Sequence, residues 1–334
     1  MSIWTGVDLL LDRVEDPTVL CAHGLQLLAA RRWRQIGRPV PPLLLAEERA
    51  AAMAALVAPT ILARIRASVD GPIILLKGAE VAARYPDPAL RPSGDIDVLV
   101  QNAAQAERAL RAAGCEPAEG ERTAGRPQHR PPLRWPSSPL PIELHHALPG
   151  PSWIRAPRFD QLAKTAEPAA VGVDGILALP PAQHALVLAA HAWRHYGPSP
   201  RYRDLIDVAL LAEEADAAEI AALAQAWGLR RVWTTTRRMV TALSAGTTPP
   251  SLIPARQTPL GLSLRERTVA DVHLRRWLGT LWAPTAGAVP RALVTMVGQD
   301  LRPWPGESWP TKLGRLSRAG RDALLPVSAH RQRR

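Results

Sequence analysis

Two carboxylates set two residues apart, Asp95 and Asp97, head the apolar run Ile96-Asp97-Val98-Leu99-Val100. On an extended chain residues i and i+2 share a face, so the two acids project together while Ile96, Val98 and Val100 turn to the other side, toward a core. Neighbouring carboxylates repel each other unless a cation lies between them. Hard oxygen ligands in this spacing suit Mg²⁺ or Mn²⁺, which binds carboxylates and completes its shell with water and phosphate oxygens. The segment Leu140 to His146 alternates in the same way, with Ile142 and Leu144 on one side and Glu143 and His145 on the other. Glu143 could bridge to a metal or accept a proton from an attacking hydroxyl. Displacement at phosphorus is catalysed mainly by positioning and charge neutralisation, often with two metals ~3.5–4 Å apart. The competing reading of Asp95 and Asp97, a solvated edge strand, sits poorly with their apolar flanks.

Cationic residues cluster nearby. Lys77, between Leu76 and Gly78, needs an anionic partner, either a substrate phosphate or a carboxylate of the site. Arg91 lies in a turn with Pro88, Pro92 and Gly94, where a guanidinium fork can clamp phosphate oxygens. Its structural alternative is a salt bridge to Asp95 or Asp87. Farther along, His184, His191 and His195 fall close to one helical face, and Asp207 follows in the next helix. Histidines in this arrangement can bind zinc, but a hydrogen-bonding or substrate-facing role for His191, His195 and Asp207 is the stronger expectation. Arg194, Arg201 and Arg203 could add positive potential to a cleft or simply be solvated.

The Leu-Lys-Gly at 76–78, Tyr-Pro-Asp at 85–87, Arg-x-x-Gly-Asp-Ile-Asp at 91–97 and Ile-Glu-Leu-His at 142–145 together resemble the uncharacterised nucleotidyltransferase family. The likeness covers about 70–210, including the helix with His191 and His195 and the Asp207 that follows it. That family belongs to the DNA polymerase β-like superfamily, whose pattern is a Gly-Gly or Gly-Ser turn, an Asp-x-Asp and a later acid. The resemblance implies that Asp95 and Asp97 are metal ligands, that Glu143 is the third acid, and that Lys77 and Gly78 lie at the turn approaching a triphosphate. Ala79 departs from the pattern, since Gly or Ser is usual there. A missing serine contact could be replaced by backbone N–H groups or by Lys77, Arg91 and Ser93.

The elements that must position these groups follow from punctuation. Short helices are expected over roughly 17–36, ended by Gly37 and Pro39, and a long amphipathic helix over 44–69. A strand over 73–76, a helix from Ala79, a strand over 95–100, a helix over 103–113 and a strand near Glu143 come next. Between the last two, 117–139 is rich in proline and glycine and reads as a loop over the site. From about 150 the pattern is helical, with a single apolar helix expected to run through Leu223. We therefore expect an N-terminal helical segment (1–70), a core (71–149), a helical domain (150–246) and a basic Pro- and Trp-rich region (247–334). The order strand–helix–strand–helix–loop–strand is compatible with an α/β (α+β) core; the resemblance implies a polymerase β-like fold with a small mixed sheet.

Composition sets the outer limits. The apolar fraction of 47% suffices for a core, with 11 Trp offsetting a single Phe. Cys21 and Cys115 are isolated, which argues against a zinc ribbon or disulfide framework and suits a reducing cytosol. No leader-like start or long uninterrupted apolar run is evident, so a soluble, cytoplasmic protein without a membrane span is expected. Of the net charge of +11, +9 lies beyond residue 250. That stretch reads as a solvated tail sooner than a nucleic-acid surface. The expected activity is transfer of a nucleoside monophosphate from a nucleoside triphosphate such as ATP to a hydroxyl or phosphate of a small molecule or peptide, in keeping with the biosynthetic settings of the family. The alternatives are a glycosyltransferase using a nucleotide sugar and a noncatalytic binding module, the latter disfavoured by retention of all three acids.

Overall fold

The computed structural model describes residues 2–118, 129–136, 138–198, 200–247, 274, 276–303, 307–321 and 323. Ser2 caps α1 (Ile3–Leu11) and Asp16 caps α2 (Pro17–His23), each side chain accepting a backbone N–H that the helix start leaves free. Gly24, at φ +69°, ends α2, and α3 (Gln26–Gln35) starts afresh, so 17–36 is two helices. Helix α4 (Pro42–Ser68) is continuous through Pro59. It is long and apolar enough to cross a membrane by composition. Here, however, Ala54, Ala58, Ile61, Leu62 and Ile65 bury one of its sides against the sheet, as expected of a core helix.

Gly71 (φ +79°) and Pro72 turn the chain into β1 (Ile73–Leu75), and a second positive-φ glycine, Gly78 (φ +74°), leads into the short α5 (Ala79–Ala82). After β2 (Ile96–Val100), Asn102 caps α6 (Ala103–Ala112). Strands β3 (Glu116–Pro117), β4 (Leu133–Arg134) and β5 (Ile142–His145) complete one half of the sheet. The expected site-covering loop lies partly outside the described residues, and Leu133–Arg134 within it forms β4. After α7 (Phe159–Thr165) come β6 (Glu167–Pro168) and β7 (Ile176–Ala178), in a stretch expected to be helical.

The seven strands run in the order β3-β4-β5-β2-β1-β7-β6. The sheet is mixed: β2 is antiparallel to β1 but parallel to β5, and β1 is parallel to β7. Strand β7 thus extends the sheet beyond the expected boundary at 149. Its three residues are too few to show a strand period, and pairing with β1 decides their state.

Each side of the sheet has its own core. Ile73, Leu75, Ile96, Val98, Val100, Ile142 and Leu144 pack with α4 and α6. Ile74, Leu76 and Leu99 pack on the other side with the N-terminal helices and with α8 (Pro181–Tyr196), α9 (Tyr202–Glu213), α10 (Ala217–Ala226) and α11 (Arg230–Ser244). The single helix expected through Leu223 is two, because Asp216 caps a new start by accepting from Ala218 N–H. Trp304 and Pro305, the C-terminal Arg331 and Arg334, and much of the basic region lie outside the described residues. Its described portion contains α12 (Ala288–Leu301) and α13 (Trp309–Arg321). That portion is more than a solvated tail, since the Trp282 indole donates to Thr235 at 2.9 Å and the Trp193 indole donates to the Gly279 carbonyl at 3.2 Å.

Candidate active site

Strand register assembles the acids. In the parallel pair β2/β5, Asp97 lies directly opposite Glu143 and Leu99 opposite His145. With a side-chain period of two, Asp97, Glu143 and His145 share the side of the sheet that faces α8 and α9. Asp95 stands just before β2, and Lys77 follows β1, held close because Leu76 N–H donates to the Asp97 carbonyl at 2.9 Å. His184 of α8 donates to the Leu76 carbonyl at 2.6 Å, fixing the other flank of that turn.

The Lys77 ammonium lies 3.0 Å from Asp95 Oδ2 and 3.0 Å from Asp97 Oδ2. His145 Nε2 lies 3.0 Å from Asp97 Oδ1 and 3.6 Å from Glu143 Oε2. His129, paired with His145 through an isolated β-bridge, brings its Nε2 to 3.7 Å from Glu143 Oε2. Exposure grades across the cluster: the Asp97 side chain is 2% exposed, Glu143 13% and Asp95 31%.

Burial pushes the Asp97 carboxyl upward, but the adjacent Lys77 charge and the His145 hydrogen bond outweigh it and hold the pKa below the ordinary value. Glu143 is likewise lowered: burial opposes the shift, and the His145 hydrogen bond and His129 charge overcome it. For His145 burial lowers the pKa, yet hydrogen bonds to Asp97 and Glu143 raise it overall. Lys77 is also raised, its burial outweighed by Asp97 and Asp95.

The donor set fits a divalent cation. Ligand atoms of Asp97, Glu143 and His145 lie within 4.8 Å of one another. Asp97 Oδ2 is buried and, although the Lys77 ammonium lies 3.0 Å away, accepts no hydrogen bond of proper geometry, so its bonding is incomplete. Carboxylate oxygens suit Mg²⁺ or Mn²⁺, and the His145 nitrogen is a donor that Mn²⁺ accepts more readily.

Other expected phosphate contacts are placed differently. Arg91 is buried and forks onto Asp207, with Nε to Oδ1 at 2.9 Å and Nη2 to Oδ2 at 2.7 Å. Neither a phosphate clamp nor a bridge to Asp95 or Asp87, its main role is to tie the 88–94 turn to α9. Its remaining nitrogen donates to the Ser93 hydroxyl at 3.3 Å and to the Gly78 carbonyl at 3.4 Å. Asp207 is correspondingly buried and also accepts from the Tyr85 hydroxyl at 2.8 Å, which removes it from the substrate-facing set. Arg203 donates to the Pro92 carbonyl at 3.1 Å, and both it and Arg201 pair with Asp204, so neither is a merely solvated charge. Ser93 is half-buried and Gly94 exposed beside the turn.

The His191 and His195 rings meet on α8 with centroids 4.6 Å apart and planes tilted by 59°. Burial first, then the charges of His195, Lys77 and His145, push the His191 pKa well down and keep its imidazole neutral. Sequence reasoning missed His129, which lies in the expected loop, and Asp204. It also overlooked Tyr85 as a structural partner, although the Tyr-Pro-Asp sequence marked the position.

A family model described as an uncharacterised nucleotidyltransferase matches residues 18–244, which takes in α2 and α3 as well as the whole sheet and the helices through α11. No curated protein matches the chain.

Proposed function

The chain belongs to the uncharacterised nucleotidyltransferase family, and from that membership we propose a metal-dependent transfer of a nucleoside monophosphate from a nucleoside triphosphate to a hydroxyl or phosphate of a small-molecule or peptide acceptor. The observation that carries the proposal is the convergence of ligand atoms of Asp97, Glu143 and His145 within 4.8 Å, with Asp95 joined to Asp97 through the shared Lys77 ammonium and one Asp97 oxygen buried and incompletely bonded. Asp95, Asp97 and Glu143 would hold Mg²⁺ or Mn²⁺, with His145 either ligating or orienting Asp97. A divalent cation there supplies charge neutralisation at the reacting phosphate and fixes its oxygens for in-line attack. Lys77 and the Gly78 turn border the same space and would face the leaving pyrophosphate. Glu143, whose carboxyl is held below its ordinary range, is a better cation ligand than proton acceptor. On α8, His191 and the more exposed His195 beside it would face the acceptor side of the site. Arg91 and Asp207 act on the turn's position and need not touch substrate.

Calorimetric titration with ATP, GTP, CTP, UTP and UDP-glucose, with and without Mg²⁺, tests this against the Asp95→Asn/Asp97→Asn double variant. Mg²⁺-dependent triphosphate binding that the variant loses supports nucleotidyl transfer and identifies the donor. Preference for UDP-glucose would replace it with glycosyl transfer, and metal-independent or absent nucleotide binding would point to a noncatalytic module.

A further inference from the structure

The residue between the two aspartates is itself a cation. The Lys77 ammonium contacts Asp95 Oδ2 and Asp97 Oδ2 equally, at 3.0 Å each. Its side chain is only 16% exposed. A metal bridging the same two oxygens would have to occupy the space the ammonium fills, because two cations cannot share one pair of carboxylate lone pairs without strong repulsion. Yet Lys77 does not complete the site. Asp97 Oδ2 still lacks a well-directed hydrogen bond, and Glu143 lies beyond the lysine with His145 and His129 as its nearest partners.

The backbone around Lys77 is fixed, so any exchange of its partners must come from rotation about the bonds of its side chain. Leu76 is held on one side by its N–H to the Asp97 carbonyl and on the other by its carbonyl to His184. Gly78, at φ +74°, turns the chain immediately afterwards. A flexible four-carbon stem on an immobilised backbone can change partners without moving the strand.

We propose that Lys77 is a placeholder for the catalytic cation, neutralising Asp95 and Asp97 in the free protein and yielding them when the metal arrives with a phosphate that takes over the ammonium. This rests on the metal-dependent reading above and adds a binding order to it: metal alone binds weakly, and metal with a polyphosphate binds well. The buried acids are thereby kept paired at every stage, which avoids an uncompensated buried charge. The penalty on metal alone follows from population: an apparent affinity falls by the fraction of molecules whose site is already vacated.

The chain has only three lysines, Lys77, Lys164 and Lys312, so selective labelling reads the switch directly. Wild-type protein carrying ¹³C,¹⁵N-lysine is titrated with Mg²⁺, then with Mg²⁺ and inorganic pyrophosphate, while side-chain Cε and Nζ resonances are followed. In parallel, Mg²⁺ affinity is measured calorimetrically for wild type and Lys77→Met. Expected are movement of the Lys77 resonances as metal binds, still Lys164 and Lys312 resonances, and Mg²⁺ binding about tenfold tighter in Lys77→Met, as a site vacated in about one molecule in ten requires. Saturable Mg²⁺ binding with unmoved Lys77 resonances overturns the placeholder and leaves the metal site standing, as does equal affinity in a folded Lys77→Met. No Mg²⁺ binding by either protein, with or without pyrophosphate, overturns the metal site and the placeholder with it. Should Lys77→Met not fold, the wild-type resonances decide alone.

Discussion

At the scale of single residues, the three acids differ in what they do for the fold as well as in the part proposed for them in the reaction. Asp95 is partly exposed and Asp97 almost fully buried between Lys77 and His145. Asn at either position is expected to reduce transfer at least ~100-fold, the scale of losing one preorganised electrostatic group. Only Asp97→Asn should also lower stability markedly, by roughly 3–5 kcal/mol, because it removes the buried carboxylate that both Lys77 and His145 pair with. Steady-state assays with thermal melts separate the two effects, and an Asp97→Asn protein with wild-type turnover would refute the site. The pH dependence has a definite sign. Asp97 and Glu143 have lowered folded pKa values, so the stability they contribute is fully present above the unfolded carboxylate range, about 3.9–4.3. It is lost as pH falls through their lower folded values. His145 is raised, so its contribution is present below about 6.5 and declines as pH rises through its folded value. Urea denaturation at stepped pH should therefore show the stability gap between wild type and Asp97→Asn/Glu143→Gln closing below pH ~4. A gap unchanged in acid would contradict the assignment.

Elements carry the next set of consequences. The turn from Gly78 to Gly94 is pinned to α9 by the Arg91–Asp207 fork, the Tyr85 hydroxyl on the same carboxylate and Arg203 on the Pro92 carbonyl. Arg91→Met leaves Asp207 buried with only Tyr85 and should cost about 3–5 kcal/mol. A double-mutant cycle with Asp207→Asn should recover a large coupling energy, whereas additive effects would show that the fork is not the tie. The glycines of this turn differ. Gly78 adopts φ +74°, ψ −122°, a region that side chains avoid, so Gly78→Ala should destabilise by about 1–3 kcal/mol even though an added Cβ finds no atom closer than 3.6 Å. Gly94 has open space around its Cβ position and no positive φ, and Gly94→Ala should melt within a degree or two of wild type. Equal melting of the two alanine variants would remove the backbone argument for Gly78.

Over the whole molecule, the family match ends at residue 244, but packing continues beyond it. Trp282, Gly279 and Ala283 meet Thr235, Trp193 and Arg231 of α11 and α8. Ending the chain after Thr247 would uncover those surfaces and should cost at least ~2 kcal/mol, or roughly 2–4 °C of Tm for each kcal/mol in a chain of this size. Ending it after Pro303 keeps those contacts and should leave Tm nearly unchanged. Similar melting of both truncated chains would show that 274–284 contributes nothing to the fold.

The amino-acid sequence by itself determined the local chemistry. Alternation in Ile96–Val100 and Ile142–His145 put the acids on one side and the aliphatics on the other, since the strand period is a property of the backbone. The apolar length of α4 and the Gly71-Pro72 break were legible for the same reason. Only the tertiary structure decided the partners. Register between β2 and β5 set Asp97 beside Glu143, and no single strand encodes its register against another. Arg91 and Asp207, 116 positions apart, became a structural fork instead of two substrate contacts. Strand β7, too short to carry a period, became a strand only when β1 supplied its hydrogen-bond partners. A residue type and its spacing fix what a side chain is able to bind, but which charge reaches it first depends on chain-distant neighbours brought within about 3 Å by folding.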